Sequence, residues 1–275
     1  MKKYYFVGDA HLGSLLFKDK EEHDNRFISW LDMACADSDE VFLMGDIFDF
    51  WFEFAHSIPP GYDKILAALK EKCSTGKKIH FVCGNHDQWT YGYLSNLGLI
   101  IHRKPEVITL NGKKILIAHG HGLGEKRKAT LIINKIFENS VCQWLFRHLI
   151  PPKIGIAFGI KWSADNRKKH DKKAKNNEGE NTFIDYYSNN TEESFQMTWA
   201  MDYARQYPDT DYLLFGHRHI MLDLMLSRSS RMMILGDWIT HFSYAVLENG
   251  QLSLEQFEYQ DNYDVEERTG VSIAF

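Results

Sequence analysis

The sequence predicts a layered α/β domain that contains mixed sheets. Short apolar runs of four or five residues recur along the chain, and glycine next to a polar residue marks the end of each run. Runs of this length that are rich in Val, Ile, Leu, Phe or Tyr are typical of mostly buried strands. Helical patterns separate the early runs, and two Asn-Gly pairs lie between strand-like runs, where they favour tight hairpins.

The predicted elements follow in chain order. The six strand-like runs are Lys3–Val7, Val41–Met44, Ile79–Cys83, Lys114–Ala118, Tyr212–Phe215 and Met232–Leu235. Helices are predicted over His23–Ala36 and Tyr62–Lys72, so the first half of the chain has the order β-α-β-α-β. Asn111-Gly112 and Asn249-Gly250 are predicted as the turns of two hairpins.

The segment from Leu123 to about Asn190 interrupts this pattern. It contains an apolar and aromatic stretch over Val141–Trp162, broken by Pro151-Pro152, and basic stretches on either side. We predict a mainly helical insertion between two strands of the body, at approximately 123–190. A chain of 275 residues can bury a large core, and we expect residues 1–275 to form a single domain that carries this insertion.

Charge is distributed unevenly along the chain. The formal net charge is −5, but Glu125–Lys175 contains 13 Lys or Arg against 4 Asp or Glu, which leaves −14 on the remaining residues. The mild overall acidity argues against a general nucleic-acid binder. The aromatic content of 14% argues against a disordered chain.

The basic insertion suits an anionic partner. Basic residues beside a stretch rich in Trp, Leu and Ile are typical of contact with an anionic membrane surface or with a lipid that carries phosphate groups. The alternative is that the apolar residues pack the insertion onto the body while the lysines are solvated. We expect no nucleic-acid partner and no obligate protein partner.

The sequence favours a cytoplasmic protein. Its four cysteines, Cys35, Cys73, Cys83 and Cys142, have no C-x-x-C spacing, which indicates a reduced compartment. No stretch reaches the roughly 18 to 20 apolar residues of a membrane span. We therefore expect a cytoplasmic protein that is peripherally associated with the inner membrane.

Polar side chains of a consistent type follow the strand-like runs. The five clusters are Asp9-x-His11, Asp46 after Gly45, Asn85-His86-Asp87 after Gly84, His119-Gly120-His121, and His217-x-His219 after Gly216. Functional side chains of α/β proteins gather at strand ends. Carboxylate, imidazole and amide ligands without a cysteine suit Mn²⁺, Fe or Zn²⁺. A set of ligands this large exceeds the needs of one open catalytic metal, whereas two metals that share a carboxylate accommodate it.

These clusters, in this order, resemble the signature of the calcineurin-like metallophosphoesterases from Asp9 to His219. The resemblance implies a four-layer α-β-β-α sandwich with a dinuclear metal site at the strand ends. It assigns Asp9, His11, Asp46 and His219 to one metal, and Asp46, Asn85, His119 and His217 to the other, with Asp46 bridging. We expect two divalent ions, Mn²⁺ in the first place and Fe or Zn²⁺ as the alternatives.

Two such ions lower the pKa of a shared water and bind phosphoryl oxygens, so the site would hydrolyse a phosphoester or a phosphoric anhydride. His86 is then expected as a catalytic residue that hydrogen-bonds a phosphoryl oxygen or protonates the leaving group, with Asp87 orienting it. We expect Asp49 to support its loop and Asp237 to lie behind the metal ligands. Two placements remain open for His121, at the edge of the site or on a surface loop.

Within this superfamily the chain is most similar to the UDP-2,3-diacylglucosamine diphosphatase group of the lipid A pathway. The similarity rests on the Gly-Asp-x-His-Leu-Gly start at Gly8, the Gly-Asp-Ile-Phe-Asp-Phe-Trp block at Gly45, and the insertion after His119. It implies that a metal-bridging hydroxide cleaves the pyrophosphate of UDP-2,3-diacylglucosamine to UMP and the monophosphorylated lipid, under a helical lid. The best-known branch of the group has an arginine at the position of His86 and an aspartate at that of His121.

The expected substrate-binding residues are Asn85, His86, Trp144, Trp162, Lys168, Lys169 and Lys172. Two alternatives stay open. A sister-branch enzyme with the same chemistry would act on another lipid pyrophosphate, a phosphodiester or a nucleotide. A scaffold of the same fold would have lost catalysis altogether.

Overall fold

A computed structural model describes residues 2–15, 17–161 and 192–259. The first half contains β1 (Tyr4–Val7), α1 (Lys20–Asp37), β2 (Glu40–Leu43), α2 (Asp63–Ser74), β3 (Lys78–Val82), α3 (Tyr93–Asn96), β4 (Ile100–His102), β5 (Glu106–Leu110) and β6 (Lys113–Ile117). The second half contains α4 (Lys128–Glu138), α5 (Ser140–Leu149), α6 (152–161), α7 (Glu192–Gln206), β7 (Tyr212–Phe215), β8 (Met221–Met225), β9 (Arg231–Leu235), β10 (Ser243–Glu248) and β11 (Gln251–Gln256).

The strands form two mixed sheets. The six-stranded sheet has the order β11-β10-β1-β2-β3-β4, and the five-stranded sheet has the order β5-β6-β7-β9-β8. Strands β1 to β4 are parallel, as are β6, β7 and β9, while the remaining pairs are antiparallel. The carboxyl ends of β1, β2 and β3 in one sheet and of β6, β7 and β9 in the other therefore lie at the same edge of the sandwich. The loops that follow these strands begin at this edge.

Alternation along the strands builds three apolar layers. In β1, Tyr5 and Val7 face the helices α1 and α2, whereas Tyr4 and Phe6 face the second sheet. A third layer packs the outer face of the second sheet against α7 through residues such as Leu213 and Ala200. The order helix, sheet, sheet, helix confirms the four-layer α-β-β-α sandwich.

All six predicted strands are confirmed, and their observed ends differ from the predicted ends by no more than one residue. The agreement is close because each strand is a buried run bounded by a turn. Helix α1 begins three residues earlier than predicted, since the Asp19 carboxylate caps it by accepting from the Glu22 amide at 2.9 Å. The Asn111-Gly112 and Asn249-Gly250 hairpins are confirmed. Both residues of each pair have positive φ, as type I′ turns require.

Two strands are missing from the sequence prediction. Strand β4 has only three residues, which is too short to give a periodic pattern. Strand β8 lies at the edge of the second sheet, and its sequence Met-Leu-Asp-Leu-Met is half-buried rather than a buried apolar run.

Among the described residues, three helices, α4 to α6, lie between β6 and α7, within the predicted insertion, and are called the insertion helices below. Their described residues confirm its helical character over residues 128–161. No residue of α4 or α5 is buried, and large apolar side chains such as Ile132, Val141 and Leu149 are exposed. Across the parts of the chain that the structure describes, no helix is both long and apolar enough to cross a bilayer.

Candidate metal centre

The strand-end loops hold their polar residues in an unusual backbone conformation. Eight of the described non-glycine residues have positive φ, and five of these are predicted metal ligands: Asp9 (52°), His11 (46°), Asp46 (51°), His217 (71°) and His219 (52°). L-residues adopt this region at an energetic cost, and such residues cluster at functional sites. The local strain therefore coincides with the predicted ligand set.

Glycines next to these ligands permit close approach of the loops. A Cβ atom on Gly84 would lie 2.9 Å from Cγ of Asp46, and one on Gly45 would lie 2.6 Å from Nδ1 of His119. Gly45 also has a φ of +89°, which a side chain would disfavour. The Gly-Asp and Gly-Asn pairs of the sequence thus serve to bring neighbouring loops together.

Asp9, His11 and His219 form the first group of candidate metal ligands. One ligand atom from each lies within 4.8 Å of the others. The Nε2 atoms of His11 and His219 are 3.3 Å apart, and Nε2 of His219 is 3.4 Å from Oδ1 of Asp9. Loops of β1 and β7, from opposite sheets, meet in this group.

Asp46, His119 and His217 form a second group with the same spacing. Nε2 of His119 lies 3.2 Å from Oδ2 of Asp46 and 3.2 Å from Oδ1 of Asn85. The second group and the adjacent Asn85 are thus the four side chains that the family resemblance assigns to one metal.

The carboxylate of Asp46 lies between the two groups. Its Oδ2 atom is 4.0 Å from Nε2 of His11, which belongs to the first group, and 3.2 Å from Nε2 of His119, which belongs to the second. It is 3.9 Å from Nε2 of His86. This position is the one that a bridging ligand requires.

In three of the predicted histidine ligands, Nδ1 faces a hydrogen-bond acceptor on the side of the ring away from the other ligands. Nδ1 of His11 lies 3.3 Å from Asp49 Oδ1, and Nδ1 of His219 lies 3.4 Å from Asp237 Oδ2. Nδ1 of His119 donates to the backbone carbonyl of Met44 at 3.0 Å. An acceptor at Nδ1 keeps the proton there and leaves Nε2 as the ligand atom, as is usual for metal-bound histidines.

The electrostatics of the centre favour bound cations. Burial raises the pKa of Asp9 to about 6, since the carboxylate is removed from water. Burial also lowers the pKa of His11 to about 4, so its imidazole is neutral at pH 7, the form that binds a metal. Burial opposes ionisation of Asp46 too, but the imidazoles of His119 and His86 hold its pKa well below the usual range. Buried carboxylates beside imidazoles are a donor set that fits divalent ions.

The predicted support of His86 by Asp87 is wrong. Asp87 is fully buried, and its carboxylate accepts from the backbone amides of Gly84 and Ile47 at 2.8 and 2.7 Å. Nδ1 of His86 instead donates to the backbone carbonyl of Asp49 at 2.7 Å. Asp87 therefore ties two loops together, and a carbonyl orients His86.

Three further polar residues that the sequence singled out lie close to the predicted ligands. The carboxylate of Asp49 faces His11 on the neighbouring loop, and Asp237 lies behind His219 as expected. His121 lies at the edge of the site, because its ring centroid is 5.4 Å from that of His119 and 6.2 Å from that of His217. No motif pointed to His23, whose Nε2 lies 3.0 Å from the carbonyl of Ala10, inside the Asp9-x-His11 loop.

The predicted substrate-binding residues of the insertion are only partly described. Trp162, Lys168, Lys169 and Lys172 lie outside the described residues. Trp144 lies on α5 with 54% of its surface exposed, and its ring is stacked on His148 rather than on a residue of the centre.

A two-sheet sandwich with carboxylates and imidazoles gathered at its strand ends defines a class of metal-dependent hydrolases. The family model for calcineurin-like phosphoesterases matches residues 2–221. The chain belongs to this family and is a metal-dependent hydrolase. The family and the candidate ligand groups together imply divalent metal ions.

Curated relatives extend the match along the chain. A UDP-2,3-diacylglucosamine hydrolase of Porphyromonas gingivalis is 34% identical over 260 residues, which cover 93% of this chain and 98% of that protein. A UDP-2,3-diacylglucosamine hydrolase of Shewanella baltica is 24% identical, with 93% and 97% covered. Among solved structures, a dimetal phosphatase from Danio rerio is similar with a TM-score of 0.46 and 11% identity, covering 92% of this chain and 95% of that one.

Proposed function

We propose that the protein hydrolyses the pyrophosphate of UDP-2,3-diacylglucosamine, releasing UMP and the monophosphorylated diacylglucosamine lipid. The observation that carries the proposal is the apolar surface of the insertion helices, one of which contacts the loop that carries His86. Trp89, three residues after His86, donates from Nε1 to the carbonyl of Phe137 on α4 at 3.0 Å. The similarity to a UDP-2,3-diacylglucosamine hydrolase of Porphyromonas gingivalis, along 98% of that protein, supports the same substrate.

The ligand groups determine where the reaction takes place. Asp9, His11, Asp46 and His219 would hold one ion, and Asp46, Asn85, His119 and His217 the other. Two divalent ions supply the positive charge that activates water and stabilises phosphoryl oxygens in the transition state. We propose Mn²⁺ as the native ion, with Fe and Zn²⁺ as the alternatives, since a donor set of carboxylate, amide and imidazole without thiolate suits all three. Metal analysis of the purified protein tests this choice against Fe and Zn²⁺.

His86 would act on the phosphoryl group or on the leaving group. The carbonyl of Asp49 can only accept, so Nδ1 of His86 carries a proton and Nε2 faces the carboxylate of Asp46, 3.9 Å away. Donation from Nε2 to an oxygen of the substrate then requires the doubly protonated imidazole. In that form His86 neutralises charge on the phosphoryl group and can pass a proton to the departing oxygen.

The insertion would form a lid over the acyl chains, and would bring the enzyme to the inner membrane. Exposed Ile132, Trp144 and Leu149 offer the apolar contact, and the basic excess of Glu125–Lys175 suits an anionic surface. Sedimentation with anionic vesicles tests membrane binding. It should fall when Lys168, Lys169, Lys172 and Lys173 are replaced, and no sedimentation of the wild type would contradict the membrane role.

One assay separates the proposed substrate from the alternatives. Purified, metal-loaded protein is given UDP-2,3-diacylglucosamine in one arm and bis-p-nitrophenyl phosphate in the other. The proposal requires release of UMP with a kcat/KM well above that for the synthetic diester. Hydrolysis of the diester without UMP release would indicate a sister-branch enzyme with another substrate. Turnover of neither compound by metal-loaded protein would indicate a scaffold.

A further inference from the structure

The segment Asp49 to Phe54, called the aromatic segment below, touches both the metal centre and the insertion helices. At its start, the carbonyl of Asp49 accepts from Nδ1 of His86 at 2.7 Å, and Oδ1 of Asp49 lies 3.3 Å from Nδ1 of His11. One residue thus fixes the orientation of the predicted catalytic histidine and faces a predicted metal ligand. Any displacement of Asp49 would move both.

Both ends of the aromatic segment also pack against helix α6, through Phe50 and Phe54. Gly155 and Gly159 are four residues apart, so they share one face of that helix. A Cβ atom on Gly155 would lie 2.8 Å from Cζ of Phe54, and one on Gly159 would overlap the ring of Phe50. Phe50 is the residue directly after Asp49, so the contact with α6 lies one peptide unit from the carbonyl that orients His86.

The aromatic segment is held firmly enough to transmit a displacement. Its backbone amides at Trp51 and Glu53 donate to the carbonyls of His86 and Trp89 at 2.9 and 3.1 Å. The buried Glu53 carboxylate accepts from the backbone amides of Tyr93 and Leu94 at 2.9 and 3.2 Å. Because these hydrogen bonds fix its backbone, we expect a displacement of Phe50 to shift the whole aromatic segment, including Asp49.

We propose that helix α6 positions His86 through the contact of Gly159 with Phe50, so that docking of the insertion sets the geometry of the catalytic histidine. This inference rests on the proposed function, since it assigns Gly159 and Phe50 as positioning residues for that reaction. Neither residue touches the reacting atoms. The insertion would then affect turnover even of a substrate that has no acyl chains.

A substituted glycine tests the proposal. Gly159→Leu inserts a side chain between α6 and Phe50, whereas the matched control Ala157→Leu adds one on the exposed side of the same helix. With bis-p-nitrophenyl phosphate, we expect Gly159→Leu to lower kcat about 10- to 100-fold with KM little changed, because small misplacements of catalytic groups have effects of this size. Ala157→Leu should stay within about twofold of the wild type. Gly159→Ala is the milder substitution if Gly159→Leu does not fold.

Two readouts distinguish positioning from general damage. The Nδ1 proton resonance of His86 should shift in Gly159→Leu and not in Ala157→Leu, while both variants retain the wild-type metal content. A double-mutant cycle provides the second readout, because Phe50→Ala removes the ring that the leucine would displace. The kcat of Phe50→Ala/Gly159→Leu should therefore lie within about threefold of the kcat of Phe50→Ala alone.

Several outcomes would overturn the proposal. Wild-type kcat for the diester in Gly159→Leu would show that the insertion affects substrate binding alone. Loss of metal from that variant, or no recovery in the double variant, would show damage that does not pass through Phe50 and His86. Failure of the wild type itself to hydrolyse either substrate would refute the proposed function instead, so the two failures are distinguishable.

Discussion

The metal centre and the insertion helices are built on opposite principles. In the centre, Asp9 and Asp46 are at most 2% exposed, and the loops that carry them are fixed by backbone hydrogen bonds and left-handed residues. In α4 and α5 no residue is buried, and apolar side chains such as Val141 and Leu149 face outward. The first region hides its polar groups, and the second exposes its apolar ones.

This difference separates chemistry from substrate choice. Buried ligands with supported orientations are what a preorganised site for phosphoryl chemistry needs. Exposed apolar surface next to such a site is what a lipid substrate would cover. Substitutions in the centre should therefore abolish turnover of every substrate, whereas substitutions on the exposed faces of the insertion should affect the lipid alone.

The largest effect is expected from Asp46→Ala. Loss of the central carboxylate should reduce kcat by at least about a thousandfold for both substrates, since metal ions supply several kcal/mol of transition-state stabilisation. Metal content should fall below that of the wild type. The control Asp32→Ala removes a surface carboxylate that pairs with Lys72 at 2.6 Å and should keep turnover within twofold of the wild type. Full metal content and turnover in Asp46→Ala would refute the bridging role.

His86→Ala comes next. Loss of a group that donates to the phosphoryl oxygen or the leaving group should reduce kcat by about 10²- to 10³-fold for both substrates. Because His86 is not among the predicted ligands, two metals should remain bound. His56→Ala, an exposed histidine, serves as the control. Turnover of His86→Ala within a few-fold of the wild type, with metals bound, would contradict the catalytic role.

Metal affinity should increase with pH. In the metal-free protein, burial lowers the pKa of His119, but Asp46 and Asp9 outweigh it and raise the pKa to about 10, above the ordinary value of 6.5. His119 is then protonated at pH 7 and must release its proton to bind a metal. One released proton makes Kd fall about tenfold per pH unit between pH 7 and 9. Calorimetry in buffers of different ionisation enthalpy measures the proton, and a pH-independent Kd would disprove its release.

The smallest effect is expected from Trp144→Ala in the insertion. Trp144 is 54% exposed, so its removal should change the free energy of unfolding by no more than about 0.5 kcal/mol. The KM for UDP-2,3-diacylglucosamine should rise several-fold while the diester is unaffected. Trp238→Ala provides the contrast, because that side chain is fully buried and its loss should cost about 3 to 5 kcal/mol of stability. An equal change in KM for both substrates in Trp144→Ala would contradict the separate roles of the metal centre and the insertion helices.

Much of the fold was predictable from the sequence because its central strands are buried runs that end in glycine and a polar residue. Those same ends carry Asp9, Asp46 and His119, so the pattern that predicted the strands also predicted the neighbourhood of the site. Strand β8 was not predicted, because it is an edge strand with Asp223 in its middle and so has no continuous apolar run.

The orientation of His86 could not be predicted, since its partner is a backbone carbonyl. Side-chain types in a sequence suggest Asp87 as the partner, but the aromatic segment brings the carbonyl of Asp49 closer and the amides of Gly84 and Ile47 occupy Asp87. The contact between Gly159 and Phe50 is equally invisible in sequence, because the two residues are remote along the chain and meet only through the docking of α6.

Anomalous diffraction from crystals of Mn²⁺-loaded protein tests the bridging role of the Asp46 carboxylate most directly. We predict two peaks about 3.5 to 4 Å apart, one on each side of the Asp46 carboxylate. One should lie against Asp9, His11 and His219, and the other against Asn85, His119 and His217. A single peak, or two peaks of which only one contacts Asp46, would contradict the dinuclear site.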